Sequence, residues 1–463
     1  MASYELKNRA SSANREVTGS ISEDMRDTLA LARLGKKPVL KRNFGILSII
    51  GLSCTILGTW EGWLTVIGWQ AAFASSSYMA GTEILGAIIL GRNSFNSQPY
   101  QGTLLMWAVV VVALIVNIIG GKFLPRLETL ILMIHILGYF GVLIPMTYMS
   151  DHKSTQEVFK DFTNGGNLYT DGLSFFVGMT GCVFAFAGGD AAVHMAEEVN
   201  HATVVIPRAI LLSVAINGTL GFTMLIATLF CMGSVDAALE SPTGYPFMEI
   251  FQQATGSVAG GLGLSSILVI VGICAALAML TATSRQFWSF ARDRGVPGWR
   301  VWSHVSNRTF LPTYSILLTM TICCLLGLIN IGSAVALNDV VSMAVSGLYS
   351  SYLIVAVLLL WRRCSGSIGN YNASDDTVVN VPGAKLMWGP FHVPGIWGIL
   401  INCYAVIYIV IVIFFSYWPT SLPVSVSTMN YSVVGTMGTV ILAIIYYVLR
   451  ARHVYTGPVV EIS

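Results

Sequence analysis

"FAFAGGDAAVHMAEEV", residues 184–199, begins as membrane sequence and ends as something else. Its first residues continue an apolar run that starts near Gly172. The run then meets Gly188-Gly189, and Asp190, His194, Glu197 and Glu198 follow within nine residues. Glycine has poor helix propensity and a permissive backbone, so the pair predicts a break in the helix. Irregular backbone at membrane depth is tolerated where it lines a polar cavity. A half-helix end in such a place offers unpaired backbone groups to an ion or a small charged solute. Asp190 follows the break directly, and a carboxylate in lipid is costly enough to point to function. His194, Glu197 and Glu198 stand at i+4, i+7 and i+8 from it. That spacing predicts one helical face running from the cavity toward the cytoplasm. His194 reads equally well as a satisfied helix histidine or as a proton-linked group. Glu197 and Glu198 read as interfacial carboxylates with a structural or gating role. His194-x-x-Glu197 also has the spacing of a metal pair, but no third ligand motif accompanies it, so no metal is expected.

Composition places this stretch in a bilayer. Of 463 residues, 54% are hydrophobic and 10% charged, whereas soluble proteins carry about 25% charged residues. The mean hydropathy is +0.70. The expected class is an all-α integral membrane protein. A net charge of +2 is too small to suggest nucleic acid as a partner. The eight cysteines lie almost all in apolar runs and form no CxxC pair, so they read as small hydrophobes. No nucleophile set, metal set or cofactor motif points to an enzyme. Residues 1–43 hold nine Lys or Arg and no apolar run. They read as a disordered cytoplasmic tail without a cleaved signal peptide.

A membrane-spanning helix needs roughly 20 apolar residues. Such runs occur at 44–90 (too long for one), 103–120, 128–149, 172–188, 208–232, 257–283, 312–331, 337–361, 395–417 and 431–450. They form one transmembrane domain over 44–450, followed by a tail at 451–463. The basic loop 285–311, with Arg285, Arg292, Arg294, Arg300 and Arg308, belongs inside. Loops 233–256 and 418–430 carry no Lys or Arg and belong outside. Arg362, Arg363 and Lys385 put 362–394 inside, and Arg450 and Arg452 put the C-terminus inside. Alternation from residue 91 onward is then self-consistent. Residues 44–90 are the exception: they must cross an odd number of times. As one straight helix they would be about 70 Å long, far thicker than the bilayer, and two crossings would reverse every later loop.

A second interruption lies in that stretch, at "GLSCTILGTWEG", Gly51–Gly62. Two broken apolar segments, one early and one central, point to a secondary transporter built from inverted repeats.

These segments carry a family likeness. "LKRNFGILSIIGLSCTILGTWEG" (Leu40–Gly62) resembles the first helix of the fungal amino-acid/choline (4-aminobutyrate-type) permeases of the amino acid–polyamine–organocation superfamily. "GLSFFVGMTGCVFAFAGGDAAVHMAEEV" (Gly172–Val199) resembles the family's sixth helix, and "VVIPRAI" (Val204–Ile210) the entry to its seventh. "SRQFWSFARDRGVPGW" (Ser284–Trp299) is similar to its loop after helix eight, and "NDVVSMAVSGLYSSYLIV" (Asn338–Val355) to helix ten. The resemblance implies a five-plus-five helix inverted-repeat transporter fold with two extra C-terminal helices, here about 10–11 helices. It implies import of amino acids, 4-aminobutyrate or choline, commonly with H+, and no cofactor. It places a substrate site at two unwound helices. Those positions fall on Ser53, Cys54, Thr55 and Gly58 in the first, and on Phe184, Phe186, Gly188, Gly189 and Asp190 in the sixth. Phe184 and Phe186 are expected to flank a substrate ammonium by cation–π attraction, worth up to about 2 kcal/mol when desolvated. Asp190, His194, Glu197 and Glu198 are the candidates for proton coupling or gating.

The chain departs from the family at Gly62. There it runs straight into "WLTVIGWQAAFASSSYMAGT", which resembles the family's third helix. The end of helix one, helix two and the start of helix three are missing, roughly 50–70 residues. The parity anomaly falls at the same place. Residues 44–90 are therefore expected to make a single net crossing as a long bent or broken pair, with Glu61 near membrane depth. An unpaired carboxylate there costs several kcal/mol or takes a proton. The shortened chain is expected to be less stable and nearly inactive in transport. A non-transporting isoform and a nutrient-sensing receptor with a permease fold are the alternative functions.

Overall fold

The computed structural model describes residues 62–92, 94–121, 123–160, 162–332, 336–369, 386–426 and 428–455. The tail 1–43, the first-helix positions Ser53, Cys54, Thr55 and Gly58, and Glu61 lie outside the described residues.

The fold is all-α. Its membrane helices are α1 Gly62–Gly91, α2 Pro99–Ile119, α3 Leu124–Met149, α4 Asp171–Ala185, α5 Ala202–Cys231, α6 Val258–Arg292, α7 Thr313–Gly332, α8 Ala336–Cys364, α9 Gly395–Ser416 and α10 Ser432–Leu449. Nine of these, among the described residues, are long and apolar enough to span a bilayer. The exception is α4, with 15 residues, about 22 Å at 1.5 Å per residue.

Helix α1 has 30 residues, about 45 Å, enough for one crossing; residues 44–61, the rest of the run expected to make a single net crossing, lie outside the described residues. The first ring of α1, Trp63, packs against Phe290 and Tyr446, each at 6.1 Å. Contacts join several of the loops. Leu422 N–H donates to Gly166 O at 2.8 Å and Lys153 N–H to Phe230 O at 2.8 Å. Phe290 meets Tyr455 at 6.2 Å, and Arg363 donates to Val393 O at 2.7 Å.

The sequence places Arg285 and Arg292 in a loop, and here the structure differs. Helix α6 runs 35 residues to Arg292, and both arginines form ion pairs on it, described below. The apolar count stops at Thr283 because the continuation is polar in composition, yet it is buried. The segment 233–257 likewise carries two short helices, Val235–Leu239 and Pro246–Thr255. The second seals its apolar face with Met248, Ile250, Phe251 and Ala254.

Helix α1 is the spine, lying against α2, α6, α7 and α8. Trp69, Ala71, Ala72, Phe73 and Ala74 are buried all round its middle. Small residues permit this closeness. A Cβ on Gly68 would stand 2.7 Å from Leu348, and one on Gly347 would stand 3.0 Å from the Gly68 backbone. Polar links run along the same helix. Thr65 donates to Ser351 (2.9 Å), Gln70 to Thr319 (3.2 Å) and Tyr78 to Asn330 (2.5 Å). Interhelical bonds of this type contribute about 0.6 kcal/mol each in a membrane protein.

Candidate functional site

Helix α4 stops where the two glycines predict. Its backbone ladder gives way to turns at Phe186 N–H→Val183 O (3.1 Å) and Ala187 N–H→Phe184 O (3.0 Å). Gly188 has φ +118°, a conformation that side-chain-bearing residues rarely adopt. The chain resumes as a single helical turn, Ala191–His194, with Asp190 at its N-cap. A 3-10 turn, Ala196–Glu198, follows. Residues 187–192 are all buried.

The helical face expected from Asp190 through Glu198 is only half realised. His194 Nε2 reaches Asp190 Oδ2 at 3.0 Å. The helix then ends, because the Val199 N–H turns back to Ala196 O in the tighter 3-10 pattern. Glu197 and Glu198 consequently leave that face and meet α6 instead. Glu197 takes both terminal nitrogens of Arg292, one of them at 3.1 Å. Glu198 accepts from Arg285 Nε at 3.1 Å. The Arg285 side chain is fully buried, and its Nη1 also donates to Ser284 Oγ at 3.3 Å.

Asp190 Oδ1 is buried without a hydrogen-bond partner among the described residues, and so is the indole nitrogen of Trp69. Trp69 comes from the α1 spine, and its ring stands edge-on to His194 at 5.3 Å. The Trp69 indole and the Tyr349 hydroxyl on α8 both interact electrostatically with Asp190. A carboxyl group is thus held at a helix break, with Oδ2 tied to an imidazole and Oδ1 buried beside the Trp69 indole without a hydrogen bond of regular geometry among the described residues. Such a group suits the capture of an ammonium or the transfer of a proton.

Phe184 and Phe186 do not form one cage. Phe184 packs against the core, whereas Phe186 is 42% exposed. Residues two apart at a helix end point about 200° from one another, so the two rings face different sides.

Sequence reasoning missed Trp69, Tyr349, Arg285 and Arg292 as parts of this site. Each lies within an apolar or basic stretch whose bland reading was sufficient. It also passed over Glu128, which is fully buried on α3 with neither oxygen partnered among the described residues.

The two ion pairs carry a prediction. Removing one partner of a buried pair leaves an uncompensated charge and costs about 3–5 kcal/mol, while exposed pairs contribute about 0–1 kcal/mol. Glu198→Gln should therefore lower the thermal midpoint of the detergent-solubilised protein clearly more than Glu197→Gln, whose pair is 11% and 17% exposed. Equal shifts would remove the distinction between the two pairs.

Relatives share this architecture's sequence. The chain is 31% identical, over 80% of its length and 78% of the relative's, to a Macrophomina phaseolina protein named as an amino acid/polyamine transporter. It is 28% identical to the choline transporter of Saccharomyces cerevisiae, over 82% of this chain and 64% of that one. It is 25% identical to the amino-acid permease BAT1 of Arabidopsis thaliana, over 88% and 78%. The family model for amino acid permeases matches residues 36–441, and the chain belongs to that family of membrane transport proteins.

Proposed function

We propose that this fold moves an amino acid or a related amine, such as choline or 4-aminobutyrate, across the plasma membrane by proton-coupled alternating access. The observation that carries the reading is Asp190: a buried carboxyl at a broken helix, with Oδ1 unpartnered and Oδ2 on His194 at 3.0 Å. The substrate ammonium docks at Asp190 beside the backbone of Gly188 and Gly189, with Phe186 as the aromatic neighbour. The resemblance assigns Ser53, Cys54, Thr55 and Gly58 to the same site, and these lie outside the described residues. The Asp190–His194 pair carries the coupling proton. Glu197 and Glu198 close the cytoplasmic side by tying the broken segment to Arg292 and Arg285 on α6. Release of these two pairs opens the inward path.

The segment expected to be missing at the Gly62–Trp63 junction would limit what this 463-residue chain does by itself. A specific observation favours a non-transporting form as the second reading. Cβ atoms on Gly178 and Gly181 of α4, and on Gly218 and Gly221 of α5, would meet nothing within 4 Å. Small residues in membrane helices mark close packing against neighbours, and these four have none among the described residues.

The test is uptake of labelled choline, 4-aminobutyrate and a panel of amino acids into cells lacking their own permeases. This chain is run beside a version carrying the longer segment between Gly62 and Trp63. Saturable, proton-dependent uptake of one substrate supports transport. Surface expression of the longer version without any uptake favours a sensing receptor.

Both termini are placed in the cytoplasm, following the basic tail and the Arg450/Arg452 end. Reporters fused at residue 20 and residue 455 should read the same, cytoplasmic side. Opposite sides would overturn the topology.

A further inference from the structure

The junction of α8 and α9 forms a basic, aromatic edge outside the transport site. Helix α8 finishes on "WRRC", Trp361–Cys364, and residues 386–394 return across its end to reach α9. Backbone bonds tie this return to the end of α8: Gly369 N–H to Leu386 O at 2.8 Å and Trp388 N–H to Gly369 O at 3.0 Å. The Arg363 guanidinium lies 4.6 Å over Trp388 and donates to Val393 O at 2.7 Å. His392 stacks on the same indole at 4.9 Å. Arg362 lies 4.9 Å over Trp361. Gly398 leaves the room that the Arg363 head occupies, since a Cβ there would collide with it.

Neither guanidinium has a carboxylate partner among the described residues. No Asp or Glu occurs within 361–369 or 386–397. A guanidinium has five N–H donors, and one hydrogen bond to Val393 leaves most of those on Arg363 free. Stacking holds each head in place, so little side-chain freedom remains to be lost on binding an anion. The surroundings are apolar and open: Trp361 is 58% exposed and Trp397 70%, with Phe391 and Ile396 exposed between them. Indole rings beside cations at the end of a spanning helix mark headgroup depth. The proposed topology puts this edge on the cytoplasmic leaflet, the one that carries anionic lipids.

We infer that Arg362 and Arg363, held on Trp361 and Trp388, form a docking site for the phosphate of an anionic glycerophospholipid. The guanidiniums take the phosphate oxygens in the paired geometry that Arg favours. The acyl chains lie along Ile396 and Trp397. The leaflet assignment rests on the topology above, but lipid binding in detergent is independent of sidedness, so the two fail separately.

The test uses the purified full chain in detergent and native mass spectrometry. Phosphatidylserine, phosphatidylinositol and phosphatidylcholine are added one at a time. The wild-type chain should retain the two anionic lipids in preference to phosphatidylcholine. Arg362→Gln/Arg363→Gln should weaken that retention by roughly tenfold or more, as the loss of two interfacial basic residues implies. Arg362→Lys/Arg363→Lys, which keeps the charge and loses the paired geometry, should lie between. Equal retention of serine and choline lipids by the wild-type chain would overturn the proposal without any variant. So would unchanged retention by a monodisperse Gln variant. Competition at equal concentration by soluble glycerophosphoserine would replace the lipid with a free phosphate ester, and competition by an acidic peptide would point to a protein partner.

Discussion

Labelled substrate should accumulate at or near background in cells expressing the 463-residue chain, and well above it in cells expressing the version with the longer segment. The reason is geometric. The resemblance puts the end of helix one, helix two and the start of helix three at the Gly62–Trp63 junction, and the chain runs straight through it. On α4 only Val177 and Val183 are buried. On α5, Ile206, Ala209, Ser213 and Cys231 are buried out of 30 residues. The open glycines Gly178, Gly181, Gly218 and Gly221 lie on these two helices. We propose that the site without that segment neither excludes water nor encloses its substrate. The shorter chain should also be retained more inside the cell and unfold at a lower temperature in detergent. Surface biotinylation beside uptake separates poor delivery from poor transport. Robust, saturable uptake by the 463-residue chain would make the missing segment dispensable and the proposed site wrong.

Asp190→Asn in the longer version should abolish uptake while surface expression stays near normal. The amide keeps the shape and a hydrogen bond to His194 but removes the charge. A charge-assisted bond to a buried carboxylate contributes about 1.5–3 kcal/mol, so substrate capture alone should fall by roughly 10- to 100-fold. Loss of a coupling proton would remove the rest. His194→Gln isolates that second effect: capture should persist while the dependence of uptake on external pH flattens. Unchanged uptake by Asp190→Asn would return the residue to a structural role.

The span pattern was legible because lipid imposes it. Every backbone polar group in hydrocarbon needs an internal partner, so apolar length alone announces a helix. The break at Gly188 was legible because two adjacent glycines weaken a helix and are followed at once by Asp190, an ionisable residue that lipid does not favour. The limits of α6 were not legible. Arg285 and Arg292 look like loop charges in sequence and become helix residues only because Glu198 and Glu197, almost a hundred positions earlier, come back to meet them. Burial of a charge depends on a partner that local sequence does not contain. The same holds for Trp69 and Tyr349, which read as core rings until the fold sets them against the Asp190–His194 pair. The divergence of Phe184 and Phe186 was readable from helical spacing and was outweighed by the appeal of two aromatics around a cation.

The central claim is that Asp190 Oδ1, beside the Trp69 indole, holds the substrate's cationic group. Equilibrium binding of the transported substrate to the purified longer version tests it most directly, with Asp171→Asn as the control. Asp171 is an exposed carboxylate in the first turn of α4, at the end away from the break. The account predicts that Asp190→Asn weakens binding at least roughly tenfold, whereas Asp171→Asn binds as the unmodified protein does. Equal affinities for Asp190→Asn and the unmodified protein would contradict it.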